Sequence, residues 1–235
     1  MGGAIAERLA ADGFDVVLND RLPDVADIHR ATVESHGRSA HSVVASVSRP
    51  HGARDLIAAA LERFGRIDVL VNTVGGIKGP VVAPVWEITD EQWASTLGVS
   101  LTSTFLCTRE VAPHMMAQRS GRIVNIASTS WAAPHSGLHP HYAAAKAGVV
   151  AFTQSVALQL APYDVTVNVV APGATRASAA SPAPRLHESS EELPPLGRIN
   201  DPQDVAGAVG YLVSHDARNV SGQLLTVAGG LNPRL

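Results

Sequence analysis

The chain has 235 residues, of which 46% are hydrophobic and 17% charged, and its net charge is −3. That length suits one α/β domain with a buried core and is short for two, while the slightly acidic balance offers no basic face for nucleic acid. A single cysteine, Cys107, excludes an internal disulfide framework, and no Cys/His cluster has metal-ligand spacing. One thiol fits a reducing cytoplasm. No apolar run approaches the ~18 residues of a membrane span, and the first residues lack the layout of an export signal, so neither a membrane partner nor secretion is expected.

In chain order, Met1 to Gly13 reads as an alanine-rich helix closed by glycine, followed by a strand from Phe14 to Asp20. A helix across Pro23 to His36, a strand at Ser39 to Ala45, a helix at His51 to Phe64 and a strand at Ile67 to Asn72 continue the alternation. This βαβ rhythm predicts a parallel sheet covered by helices. A long helical region from Asp90 to Arg119 precedes the β-branched run Arg122 to Ala127, whose carboxyl end carries Ser128. An alanine-rich helix begins near His141, and Val165 to Ala171 forms another buried strand, broken by Pro172-Gly173. Residues 174–195 run Ala/Ser/Pro/Glu-rich without a period, which their place beside the strand ends marks as a mobile lid. A helix opening at Asp201-Pro202 and a strand from Gln223 to Val227 complete one domain, 1–235.

Chemistry concentrates around Ser128. In an open parallel sheet, ligands gather at the carboxyl ends of the strands. On the helix that follows, Tyr142 and Lys146 stand four residues apart, hence on one face and one turn apart. An ammonium beside a phenol favours the phenolate and draws its pKa down from ~10 toward the range of a general acid/base. A neighbouring serine hydroxyl can hold a substrate oxygen.

Taken with other spaced motifs, the chain resembles the short-chain dehydrogenase/reductase family over nearly its whole length. Asn72-Thr73-Val74-Gly75 looks like the family's N-N-A-G turn, and Ser128, Tyr142 and Lys146 match its serine and Y-x-x-x-K. Asn168 to Gly173 matches N-x-x-x-P-G, and the tail from Pro195-Leu-Gly-Arg198 to Gly230 also matches. The resemblance implies a Rossmann-like, doubly wound, three-layer α/β/α fold and hydride transfer between a nicotinamide cofactor and a carbonyl/secondary alcohol pair. Tyr142 would exchange the proton, Ser128 would bind the substrate oxygen, and Lys146 would lower the tyrosine pKa and hold the nicotinamide ribose. Ser100 stands where the family has an asparagine that links the lysine to water. Cofactor contacts would come from Gly2, Asp20, Arg21, Ser46, Val47, Asn72, Gly75, Tyr142, Lys146, Pro172, Gly173 and Thr175. Asp20 at a strand end suits the adenosine ribose and repels a 2′-phosphate, favouring NAD over NADP, although Arg21 beside it tempers the preference. A homotetramer or dimer is implied by resemblance alone.

The departures are equally specific. Met1 falls inside the family's T-G-x-x-x-G-I-G turn, so the first strand and most of the phosphate loop have no counterpart. Four or five buried apolar residues at ~1.5–3 kcal/mol each match a domain's whole net stability, so a sheet without that strand should not fold normally. Pyrophosphate binding would be left to the first helix N-terminus and Gly2. Thr73-Val74, Ser46, Ala177 and Ala228 also replace family residues. Two readings follow: an ordinary reductase whose first methionine here is internal to a longer chain, or a diverged member without redox chemistry, acting as a cofactor-independent isomerase or lyase or as a binding protein. The intact trio favours the oxidoreductase. Among smaller features, His135, His139 and His141 read as a polar loop at the cleft mouth, Trp131 and Trp86 as pocket or loop packing, Met115 and Met116 as core or subunit contact, and Cys107 as a small buried apolar residue.

Overall fold

The computed structural model describes residues 1–76, 84–132, 140–176 and 193–231. Its elements in chain order are α1 (Gly2–Ala11), β1 (Val16–Asp20), α2 (Pro23–Asp27), α3 (Arg30–Ser35), β2 (Ala40–Val44), α4 (Pro50–Phe64) and β3 (Val69–Asn72). There follow α5 (Asp90–Leu97), a π-helical turn (Gly98–Thr102), α6 (Ser103–Gln118), β4 (Gly121–Ile126), α7 (Pro140–Leu160), β5 (Val165–Pro172), α8 (Pro202–Val213) and β6 (Leu224–Val227). Every strand expected from the sequence forms, each within about two residues of its expected ends.

Side-chain alternation along the strands builds two helix layers. Val124, Ile126 and Val170 face one way, against Ile5 and Leu9 of α1 and Val205, Val209 and Leu212 of α8. Ile123, Val165 and Val167 face the other way, against α4, α6 and α7. This is the three-layer α/β/α arrangement. All strand pairs are parallel, with Asn72 opposite Asn125 and Asn125 opposite Val169.

The sheet is in two pieces. β1 pairs only with β2, while β3, β4, β5 and β6 form a separate ladder in that order. Among the described residues no strand bridges β1 and β3.

Two helices differ from the sequence expectation. The region Pro23 to His36 is two short helices, because the helical run lapses into a turn at Ile28 and His29, where His29 (φ −97°, ψ 0°) lies at the margin of the helical region. Its imidazole lies against α1, where a Cβ on Gly3 would fall 2.2 Å from the ring. The region Asp90 to Arg119 is interrupted by the π-turn centred on Ser100. A π-turn widens the helix by one residue and often marks a functional site.

Candidate active site

β4 delivers Ser128 two residues past its end, and Ser128 caps a short 3₁₀ turn in which its Oγ accepts from the Ser130 amide at 3.3 Å. Pro140 begins α7 just ahead of Tyr142, so Tyr142 and Lys146 share its first two turns. His141 therefore sits buried in this helix rather than in a loop; His135 and His139 lie outside the described residues. Tyr142 hydrogen-bonds Ser128 through its hydroxyl. Lys146 is buried and donates from Nζ to the Ile126 carbonyl at 2.6 Å, while the same Nζ lies 5.7 Å from the Tyr142 ring centroid. The three side chains expected to work together are brought together.

Their electrostatics correct one expectation. Burial pushes the Tyr142 phenol above its ordinary 10, with the Ser128 hydrogen bond pulling the other way. The net shift is upward even with the Lys146 ammonium 5.7 Å from the ring centroid. The lysine is itself desolvated and falls to about 8, because neither charge is favoured in this pocket. The resting trio is therefore a neutral phenol above a weakened ammonium.

The π-turn places Ser100, fully buried, on the other side of that ammonium. Its Oγ accepts from the Gly76 amide at 3.3 Å and lies 3.4 Å from the Gly76 carbonyl, to which it can donate. Gly75 is a close-approach position: a Cβ there would stand 2.9 Å from Lys146 Nζ and 3.5 Å from Ser100 Oγ. Bare backbone thus stands directly against an ammonium, a close approach that leaves Nζ able to meet vicinal ribose hydroxyls. At the end of β5, Gly173 packs so closely that a Cβ would meet Ala228 Cβ at 2.9 Å, and Thr175 Oγ1 donates to the Gly173 carbonyl at 3.0 Å.

The adenosine-side candidates are less enclosed. Asp20 ends β1, and its Oδ1 accepts from the Leu22 amide at 3.0 Å, leaving Oδ2 open. Arg21 is exposed. Ser46 is exposed and bonded to Ser48 at 3.1 Å, whereas the Val47 side chain is in the core with Ala53, Leu106 and Cys107. Gly2 marks where α1 begins, and a Cβ there would be 3.6 Å from Thr73 Oγ1 at the end of β3. These residues fit a nicotinamide dinucleotide along the strand ends.

The Asn72 side-chain amide donates to Asn125 Oδ1 at 2.8 Å, and Asn125 donates to Thr153 Oγ1 at 2.8 Å, making a buried polar ladder across β3, β4 and α7. This ladder ties the end of β3 to the strand that carries Ser128. Asn125 and Thr153 escaped the sequence reading, although a lone asparagine inside the apolar run Arg122 to Ala127 was the available signal. Met115 is core and Cys107 is buried, its thiol pushed up to about 12 by burial. Trp86 is exposed, and Trp131 packs part-buried beside Ala127 and Val149. Most of the expected lid, 177–192 with Ala177, lies outside the described residues, which also contain no group of three metal-ligating side chains and no helix long and apolar enough to cross a membrane.

The sequence model of the family described as Enoyl-(Acyl carrier protein) reductase matches residues 1–232. This chain belongs to the short-chain dehydrogenase/reductase family. It is 37% identical over 234 residues to a 3-oxoacyl-[acyl-carrier-protein] reductase of Synechocystis, spanning 98% of this chain and 92% of the relative. A crystal structure of a Burkholderia xenovorans protein assigned to the same family superposes with a TM-score of 0.92 at 34% identity, covering 100% of this chain and 90% of that one. NAD⁺-bound xylitol dehydrogenase matches with a TM-score of 0.85 at 26% identity, over 97% and 94%. The chain is accordingly a nicotinamide-dependent oxidoreductase acting on CH–OH groups and their carbonyls, and nothing in the site favours the cofactor-independent alternative.

Proposed function

We propose that the chain is an NAD-preferring ketoreductase or alcohol dehydrogenase for small or medium carbonyl/secondary alcohol substrates. The observation that carries this reading is the part-buried hydrogen-bonded pair Ser128–Tyr142 standing over the buried Lys146.

In this reading Ser128 and Tyr142 both point hydroxyls at the substrate oxygen. Tyr142 passes its proton to that oxygen during carbonyl reduction and takes it back during alcohol oxidation. The bound nicotinamide supplies or accepts the hydride. Lys146 Nζ, under the bare backbone of Gly75, holds the nicotinamide ribose hydroxyls, and Ser100 orders the Gly76 turn beside it. Pro172, Gly173 and Thr175 line the carboxamide side, and the open Oδ2 of Asp20 accepts from the adenosine ribose. A phenol held protonated by burial is ready to donate, so reduction proceeds from the resting state, whereas oxidation requires prior loss of the proton and gains with rising pH.

The single buried thiol suits a reducing cytoplasm, and the exposed Phe105 of α6 and Leu158 of α7 suit a homo-oligomer built on those helices. Initial rates at the reduced-nicotinamide wavelength, with NADH or NADPH and a panel of ketones and secondary alcohols, test the function. Turnover that prefers NADH and vanishes in Tyr142→Phe is expected; absence of turnover with every substrate and both cofactors overturns it.

A further inference from the structure

In the resting site the hydroxyl of Ser128 is fully committed. A serine oxygen offers two lone pairs and one proton. The extended backbone of Ser128 (φ −166°, ψ 151°) leads into the 3₁₀ turn Thr129–Trp131 and brings its Oγ back over that turn. There it accepts from the Ser130 amide at 3.3 Å, and it is also hydrogen-bonded to the Tyr142 hydroxyl. Its own proton goes to Ser130 Oγ at 3.2 Å. With that proton on Ser130, the bond between Tyr142 and Ser128 uses the proton of the phenol. The hydroxyls therefore run one way, from Tyr142 through Ser128 to Ser130.

That order cannot outlast proton transfer. Once Tyr142 has given its proton to a substrate oxygen, the phenolate needs a donor, and the Ser128 hydroxyl is already in contact with it. Ser128 then swings its proton away from Ser130 and is left with a lone pair that the phenol had filled. Ser130 can fill it, because the same two oxygens can bond in the opposite sense. A separation of 3.2 Å is long for a hydroxyl pair, so little is lost in the turn. Both serines are part-buried, which leaves their hydroxyls free to rotate. A hydrogen bond that feeds an anion is stronger than one between neutral hydroxyls, and each link polarises the next. Ser130 therefore contributes more to the phenolate than to the phenol.

We propose that Ser130 is a positioning residue whose hydroxyl accepts the Ser128 proton while Tyr142 is a phenol, and turns to donate to Ser128 Oγ when Tyr142 is a phenolate. No proton travels along the serines: each keeps its own and rotates about its Cβ–Oγ bond. Only the proton of the phenol moves, to the substrate oxygen, and for that step the inference rests on the proposed function. Lys146 and His141 share α7 with Tyr142. Of the elements packed on α7, β5, the turn after Ser128 and the π-turn carry no charged side chain. Arg122 bonds the Asp164 carbonyl at the far end of β4, Arg109 pairs with Glu110, and Asp90, Glu91 and His114 are exposed. Cys107 lies in the Val47 cluster, and Tyr163 follows the far end of α7. Among the described residues, Lys146 and His141 are thus the ionisable neighbours of Tyr142, and a substitution at Ser130 changes neither.

The test compares Ser130→Ala and Ser130→Thr with the parent. Alanine removes the hydroxyl but keeps the backbone amide that caps the turn; threonine restores a hydroxyl. Ultraviolet titration of tyrosinate, with Tyr142→Phe marking which step belongs to Tyr142, is read beside the pH profile of alcohol oxidation. Ser130→Ala should raise both midpoints by about half a pH unit, which is about a threefold loss of oxidation rate below the midpoint. Ser130→Thr should bring both back to the parent values. Unchanged midpoints in Ser130→Ala overturn the proposal, and so does a downward shift, since Ser130 would then only hold the Ser128 proton away from the phenolate. A shift that threonine does not reverse belongs to the shape of the turn and overturns it as well. If circular dichroism shows that Ser130→Ala does not fold, Ser130→Cys, whose thiol is a weak donor and acceptor, takes its place with the same expected shift. The titration needs no substrate, so absence of turnover in every form overturns the proposed function while the tyrosinate midpoints still decide the role of Ser130.

Discussion

β5 and β1 are both short parallel strands rich in valine, yet they live in different surroundings. All eight residues of β5 are buried, and β4 and β6 bond it on both sides. The five residues of β1 are half-buried and, among the described residues, bonded to β2 alone. Both are valine-bearing, and their neighbours differ: such a strand is core where the sheet closes around it and edge where it does not. The proton-handling residues Ser128, Tyr142 and Lys146 are anchored on the closed side, whereas the dinucleotide candidates are split across the open one.

The largest test of that contrast is Tyr142→Phe. If the closed side carries the chemistry, kcat should fall by about 10²–10⁴, the usual contribution of a general acid/base, with NAD⁺ affinity unchanged. Stopped-flow or steady-state absorbance measures it, and a modest loss would place the proton transfer elsewhere.

Lys146→Met should also abolish turnover while making the protein more stable at neutral pH. Burial lowers the folded lysine to about 8 from 10.5, so between those values the unfolded chain holds a proton that the folded chain has released. Stability therefore rises with pH across about 8 to 10.5. Tyr142, raised above 10 when folded, keeps a proton that the unfolded chain loses, so stability falls again at higher pH. Urea midpoints from pH 7 to 11 should show the rise in the parent and its absence in Lys146→Met, which gains on the order of 1–3 kcal/mol at pH 7.

A pair of truncations compares the strands directly. Val169→Ala in β5 removes fully enclosed methyls and should destabilise by about 2–3 kcal/mol, whereas Val17→Ala in β1 should cost under ~1 kcal/mol. Asn125→Ala, which strands Asn72 and Thr153 in the core without their partner, should cost about 2 kcal/mol. Denaturant melts of all three give the ranking, and equal effects at Val169 and Val17 would show that β1 is as enclosed in solution as β5.

Much of this was legible in the residues. The strands were readable because each is a short β-branched run between breakers, and the trio because a strand end and a helical four-residue spacing fix its geometry. Three things were not. The π-turn at Ser100 has no signature in a region of continuous helical propensity, since it arises from packing against Gly75 and Gly76. The break at His29 depends on a contact with Gly3, distant in sequence. The direction of the Tyr142 shift depends on burial, which outweighs a nearby ammonium that is itself desolvated, and adjacency alone does not reveal that balance.

The smallest effect concerns cofactor choice and belongs to the open side. Asp20 accepts from the Leu22 amide with one carboxylate oxygen, which orients the other outward from the end of β1. Asn in this place keeps that turn, because its side-chain oxygen can accept the same bond, but removes the negative charge that would repel a 2′-phosphate. Asp20→Asn should therefore shift the ratio of kcat/KM for NADPH to that for NADH upward by about tenfold, roughly 1.4 kcal/mol, without changing kcat. Arg21→Ala in the same background should take back part of the gain, because its exposed guanidinium, next in the chain to Asp20, can pair with that phosphate. An unchanged ratio in Asp20→Asn would mean that β1 does not contact the adenosine ribose, and that the closed side grips the cofactor alone.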